Sequence, residues 1–200
     1  MAGNDQLVSL PMDEPIWDRF FTVSPLVIVG TLEADGQPDL APKHLAIPMS
    51  WDNYFGFVCS RTHHTYTNIQ RTGEFTVSYP TADQVTLASL AASPRCEGDA
   101  KLAVSVLPVR PASRVEGVLL EGCYLYLDCE LERIVDDLGR NSLIIGRIVA
   151  ASVDKKSLRH LETDDQDTVH QNPLLAYLYP FRFASIENSQ QFPKPAGFKR

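Results

Sequence analysis

Between Leu119 and Ile134 the chain alternates almost without a break. Cys123, Leu125, Leu127, Cys129 and Leu131 fall on one side, and Tyr124, Tyr126, Asp128, Glu130 and Glu132 on the other. A period of two sends each set to its own face of a strand, so this stretch predicts a long β-strand with one face on a core and one toward water. That pattern belongs to antiparallel sheets. Leu26–Leu32 (LVIVGTL) is a continuous apolar, β-branched run, hence a buried strand, and Asp35-Gly36 behind it signals a hairpin turn. The returning strand covers residues 39–48 and carries Pro42, which implies an edge, a bulge or a bend. Tyr54–Cys59, Glu74–Tyr79, Leu143–Val153 and Arg182–Ile186 are further strands. In Glu74–Tyr79, Phe75, Val77 and Tyr79 share one face.

The helical signals are short. His64–Thr72 closes on Gly73, Asp83–Ala92 has Thr81 or Asp83 as its cap, and Asp99–Val106 is weak. Residues 154–167 read as a loop or short helix, and Asn172–Tyr179 as a short apolar segment. Successive strands joined by hairpins and short excursions predict a mainly β chain, a small closed antiparallel barrel of six or seven strands. The βα alternation of a parallel sheet is absent, and no GxGxxG occurs. Apolar patterning runs from about Trp17 to about Ile186, which predicts an N-terminal arm (1–19), one domain (20–187) and a C-terminal tail (188–200).

Composition narrows the partners. A hydrophobic fraction of 44% and a charged fraction of 22% are those of an ordinary globular protein, and a net charge of −7 with no basic stripe gives nucleic acid nothing to hold. No apolar run approaches the ~20 residues of a membrane span. The acidic start, broken by Pro11 and Pro15, lacks a signal-peptide pattern. Cys59, Cys96, Cys123 and Cys129 show no CxxC spacing, and Cys123 and Cys129, six apart on one strand, are too distant to bridge. Free buried thiols in a reducing cytoplasm are expected.

The segment YFGFVCSRTHHTYTNIQRTG (54–73) carries chemistry. A strand hands over to a helix N-terminus through Ser60-Arg61-Thr62. First-turn N–H groups lack intrahelical acceptors, and the helix dipole adds partial positive charge there. Arg61 adds a full charge, and Ser60, Thr62 and Thr65 add neutral donors, which makes this a phosphate site. Thr65 and Asn68 also suit capping of the helix start. His63 and His64 are adjacent, so at most one faces the site if both are helical. With His44 they lack a carboxylate or thiol at usable spacing, so no metal is expected. Cys59 reads as a small buried residue beside the site.

The order of these pieces resembles the flavin reductase-like family. The valine-rich first strand, the DG hairpin, Ala41-Pro42-Lys43-His44, the Thr65…Asn68-Ile69 helix start and the Gly73-Glu74-Phe75 strand all match, as do RCEGDAKLAVSVL and GVLLEGCYLYLDCEL further on, over about residues 20–190. The resemblance implies an FMN-binding, Greek-key split β-barrel that works as a homodimer with its site near the subunit interface. It implies that Pro42, Lys43, His44 and Leu45 border the isoalloxazine ring, and that Cys59, Ser60, Arg61, Thr62, His64, Thr65 and Tyr66 hold the ribityl chain and phosphate. Lys101 falls near the family's phosphate-binding lysine, displaced by one residue because the order here is Asp-Ala-Lys. Arg95 has the same standing. Lys43 near the flavin would stabilise negative charge on the reduced ring.

The implied activity is that of a cytoplasmic oxidoreductase, with NAD(P)H or another reductant transferring hydride to flavin and reduced flavin passing to an acceptor or a partner oxygenase. No side-chain acid or base is required, so no catalytic residue is assigned. Many relatives carry a histidine where this chain has Asn141-Ser142, ahead of Leu143–Val153, and His160 and His170 lie elsewhere. Two other readings stay open: a non-enzymatic, flavoredoxin-like FMN electron carrier, and a split barrel for another ligand such as haem. Phe192 and Phe198 in the tail are placed to cover a partner's flavin.

Overall fold

A computed structural model describes residues 7–96, 101–159 and 165–197. In chain order the elements are β1 (Thr22–Pro25), β2 (Val27–Leu32), β3 (Pro38–Lys43), β4 (Ala46–Pro48), β5 (Tyr54–Ser60), α1 (His64–Thr72) and β6 (Glu74–Tyr79). A 3-10 turn (Ala82–Gln84) leads into α2 (Val85–Leu90), and a second lies at Leu102–Val106. Then come β7 (Val109–Pro111), β8 (Val118–Leu120), β9 (Leu125–Leu138), β10 (Asn141–Val153), α3 (Asp165–Gln171), β11 (Leu174–Tyr179) and β12 (Arg182–Ile186). Seven strands form the main sheet in the order β3-β2-β6-β9-β10-β5-β4, beside a three-stranded sheet β1-β11-β12 and the pair β7-β8. Every pairing is antiparallel.

The unbroken apolar run of β2 has a packing cause. Val27 and Val29 enter one core with Phe55, Phe57, Ile69, Phe75, Val77 and Ile144. Ile28 points the other way, into a second core with Leu40, Ala88, Val104 and Leu120. The strand is buried on both faces because α2 and the Leu102–Val106 turn cover its outer side. The inner core is closed by α1, whose Tyr66 and Ile69 are buried, and by edge-on aromatic contact between Phe57 and Phe75 at 5.5 Å. α1 ends as its sequence requires. Gly73 takes a left-handed φ of 73° and its N–H donates to the Ile69 carbonyl at 2.9 Å.

Three sequence expectations change. The stretch 119–134 is two strands: β8 ends at Leu120, Gly122 turns the chain at φ 77°, and β9 starts at Leu125. Cys123 therefore packs in the outer core and Cys129 in the inner one, rather than on one strand face. Residues 39–48 break at His44–Leu45 into β3 and β4. Pro42 stays inside β3 opposite Ile28, and β3 is the edge of its sheet, so a missing N–H there removes no ladder bond. Asp83–Ala92 starts instead as a 3-10 turn, where the Thr81 N–H donates to Gln84 Oε1 at 3.2 Å.

The short strands β1 and β7 had no alternation long enough to find. Asp99, Ala100, His160 and Phe198 lie outside the described residues. All four cysteines are free, and Cys96 is exposed rather than buried. Among the described residues no helix is long and apolar enough to cross a membrane.

Candidate functional site

β5 ends at Ser60, the chain turns, and α1 begins at His64. The turn satisfies itself: Ser60 Oγ and Thr62 Oγ1 are 3.0 Å apart, and the His63 N–H donates to the Ser60 carbonyl at 3.1 Å. His63 is the N-cap with extended backbone (φ −86°, ψ 141°), and no side chain caps the helix. No acidic residue stands in its first turn. The helix's own first turn thus supplies no anion to meet its dipole.

A cavity of about 470 Å³ opens on this helix start. Its walls are Pro42 and Lys43 from the end of β3, residues 62–65, residues 91–95 after α2, and Asp39, Ala41 and Lys101. Because His63 sits outside the helix proper, both it and His64 reach the wall, although adjacent helical residues would not.

Two carboxylates organise the cations around it. Glu33 Oε1 accepts from Arg95 Nη2 at 2.5 Å, and Glu33 Oε2 lies 3.1 Å from His64 Nδ1. Asp39 Oδ1, on a side chain only 4% exposed, lies 3.1 Å from Arg95 Nη2 and 3.4 Å from Lys101 Nζ. Neither contact has hydrogen-bond alignment, so Asp39 Oδ1 is paired by charge alone. Lys101 Nζ also donates to the Leu40 carbonyl at 2.6 Å.

Lys43 differs from these cations. It is only 9% exposed, and among the described residues no carboxylate lies within ion-pair distance of its amine, which sits beside the Cys59 thiol.

Burial is the leading cause of the pKa shifts around the cavity. Burial lowers the Lys101 pKa, Asp39 opposes that, and Arg95 and Lys43 lower it further. His63 is lowered by burial and then by Lys43 and Lys101, and His44 by burial and Lys43. Burial raises the Cys59 thiol pKa, with Lys43 offsetting part of the effect, so Cys59 is a neutral thiol.

Glu33 gives a testable pH effect. Burial would raise its pKa, but His64 and Arg95 hold it below the ordinary 4.5. Between the two values the unfolded chain binds more protons, so this contribution to stability is present above pH 4.5 and lost as pH falls through the folded pKa. The melting-temperature gap between the wild type and Glu33→Gln is expected to shrink on going from pH 7 to pH 3. A gap that stays constant contradicts the assignment.

Of the residues expected from sequence, the cavity gathers Pro42, Lys43, Thr62, His64, Thr65 and Lys101. The others are placed around it. His44 packs against Tyr177 (centroids 4.7 Å apart) and Tyr179 (5.4 Å) of β11. Leu45 is exposed at the β3–β4 bend, and Cys59 is buried with Sγ 3.9 Å from His63 Nδ1. Ser60 bonds within its turn, and Tyr66 donates to Asp136 at 3.2 Å. Arg61 points to the far end of β9, where it pairs with Asp137 at 2.9 Å in an exposed contact.

The positive charge expected of Arg61 is supplied in the cavity by Lys43, Lys101 and Arg95. Asn68 lies one turn into α1, where its amide is 3.1 Å from Thr31 Oγ1, tying the helix to β2 rather than capping it. Asp39 and residues 91–94 were not found from sequence. The small residues Ala91-Ala92-Ser93 are the available signal, since they let a loop lie close to a ligand.

A mainly antiparallel barrel with a cationic cleft at one uncapped helix defines the class, that of a split-barrel protein. More particularly, the chain belongs to the flavin reductase-like family, whose domain model, the flavin reductase like domain, matches residues 19–178. An uncharacterized protein of Methanothermobacter thermautotrophicus is 27% identical over 157 residues, 76% of this chain and 73% of that protein. Flavoredoxin of Desulfovibrio vulgaris superposes with TM-score 0.72 at 20% identity, over 95% of this chain and 98% of its own. The 2-nitrobenzoate 2-nitroreductase of Pseudomonas fluorescens superposes with TM-score 0.73 at 16% identity, over 88% of this chain and 87% of its own.

Proposed function

We propose that the cavity at the start of α1 binds FMN through its phosphate, and that the protein is an FMN-dependent oxidoreductase receiving hydride from NAD(P)H. The observation that carries this is Lys43, nine-tenths buried beside an uncapped helix N-terminus, with no carboxylate within ion-pair distance of its amine among the described residues. A buried unpaired cation is costly, and a dianion in the cavity would relieve it. Thr62, Thr65 and the first-turn N–H groups of α1 would donate to phosphate oxygens, with Lys43, Lys101 and Arg95 supplying charge. Asp39 and Glu33 hold Lys101 and Arg95 at the wall in advance, so little side-chain entropy remains to be lost on binding.

Pro42, His44, Leu45 and the backbone of Lys43 would border the ring, with the Lys43 side chain turned to the phosphate and His44 fixed by its two tyrosines. When bound, FMN supplies the redox chemistry. The residues described here bind and orient it, and the second core behind β2 and β3 closes one side to water.

A second reading, an electron carrier, is supported by the near-complete overlap with flavoredoxin. It is also supported by Ser142, which is buried and committed to Asp136 at 2.6 Å, so the start of β10 presents no histidine to a nicotinamide. One experiment separates the readings. The purified protein is expected to be yellow, with absorbance near ~450 nm from bound flavin. Anaerobic bleaching by NADH or NADPH within seconds is the expected result for a reductase. Fast reduction only by a protein donor would select the carrier, and a colourless protein that takes up no added FMN would remove both.

A further inference from the structure

His63 lines the cavity at the start of α1 with no carboxylate beside it. Glu33 engages His64 and Arg95, and Asp39 engages Arg95 and Lys101, so among the described residues no ion pair reaches the His63 ring. The ring meets Cys59 instead, whose Sγ lies 3.9 Å from Nδ1. That contact sets the tautomer. The thiol carries a single hydrogen, and Sγ also lies 3.5 Å from the Ser60 carbonyl, which can only accept. With the hydrogen directed there, the sulfur accepts from Nδ1–H, and Nε2 of the neutral ring keeps a bare lone pair. The Lys43 amine beside the same sulfur is itself only a donor, which favours this arrangement.

We infer that His63 takes up a proton from solvent as the FMN phosphate enters, so that anion and proton bind together and the imidazolium becomes a phosphate ligand. The inference rests on the flavin reading above and adds to it a residue and a pH dependence. A dianionic phosphate brings no hydrogen to a bare Nε2, whereas a protonated Nε2 gives it a charge-assisted bond. The surrounding charges set the direction. Asp39 and Lys43 come from β3, Cys59 from β5, His64 from α1 with Glu33 behind it, and Arg95 and Lys101 from the segments after α2. Burial holds the His63 pKa below the ordinary 6.5, Lys43 and Lys101 lower it further, and Asp39 opposes them in part. The ring is therefore neutral at pH 7 in the free protein, and a dianion among the same cations reverses the field. Between the free and bound pKa values the complex holds more protons than the free protein, so FMN affinity falls as pH rises through that interval. The phosphate's own ionisation, near pH ~6, acts in the opposite sense.

The full chain is titrated calorimetrically with FMN and with riboflavin at pH 7, in buffers of different ionisation enthalpy, so that the dependence of heat on buffer counts the protons exchanged. The wild type is expected to take up between about 0.3 and 1 proton per FMN and none per riboflavin. His63→Asn leaves only the slight proton release of the phosphate itself. It weakens FMN binding about tenfold at pH 6.5 and no more than about twofold at pH 9, where the wild-type ring is neutral too. His63→Lys, charged throughout, holds FMN as tightly at pH 9 as at pH 7. Unchanged riboflavin affinity shows that the variants fold. FMN binding without net uptake in the wild type overturns this inference alone. Uptake that survives in His63→Asn assigns the proton to another group, Lys101 first, and overturns it equally. If His63→Asn loses riboflavin as well, His63→Lys decides, and an FMN affinity that falls from pH 7 to pH 9 as the wild type's does overturns the inference. A wild type that binds neither flavin overturns the flavin reading and this one with it.

Discussion

Lys43→Met is expected to weaken FMN binding by roughly 10- to 100-fold while changing riboflavin affinity by no more than about threefold. A charge-assisted hydrogen bond contributes about 1.5–3 kcal/mol, and each 1.4 kcal/mol is about a factor of ten. Lys43 should lie toward the upper part of that range because no carboxylate among the described residues competes for it. Lys101 already shares Asp39 with Arg95 and donates to the Leu40 carbonyl, so part of its binding capacity is committed.

The same substitution is expected to leave folding stability unchanged or slightly higher. Methionine keeps most of the stem volume and removes an unpaired buried charge. Titration calorimetry with both ligands and a urea melt of the free protein check the two halves. Equal loss of FMN and riboflavin would mean that Lys43 acts on the ring or on the fold rather than on the phosphate.

Gly30→Ala should cost about 3 kcal/mol, at the upper end of what overpacking does. A Cβ on Gly30 would be driven against Thr76 Oγ1 and the carbonyl oxygen of Val118, with Leu40 Cδ2 at 3.2 Å. Thr76 cannot swing aside freely, because it donates to the Val118 carbonyl at 2.5 Å. Val118 cannot retreat without moving β8. In a chain of this size each 1 kcal/mol shifts the melting temperature by roughly 2–4 °C, so a fall of about 6–12 °C is expected. Scanning calorimetry reads this directly, and a fall under about 3 °C would show that β8 is loosely held over β2 and β6.

The parts of the fold that could be read from sequence share one property: their signal is local. α1 was bounded at His64 and Thr72 because a strand pattern ends before it and Gly73 closes it, and β6 and β12 were bounded for similar reasons. The break at Glu121–Tyr124 was missed because an even-numbered turn keeps the alternation in phase. Only Gly122 betrayed it.

The site divides in the same way. Thr62, His64 and Thr65 follow from a helix start written in consecutive residues. Asp39, Arg95 and Lys101 meet only through tertiary packing of the hairpin against the segments on either side of residues 97–100, so no spacing rule reaches them. Arg61 shows the converse. Its position in the turn was legible, but the choice between the cavity and Asp137 is made by the far end of β9, some 76 residues away.

The contact of His44 with Tyr177 and Tyr179 fastens the rim of the cleft to β11, far along the sequence. Synthesis runs from the other end. A growing chain can pair β2 with β3 and wind α1 long before residue 177 emerges, yet the bend at His44 then lacks both of its aromatic supports. The cleft therefore takes its finished form only once β11 has paired with β1, later than the hairpin and the helix that line it.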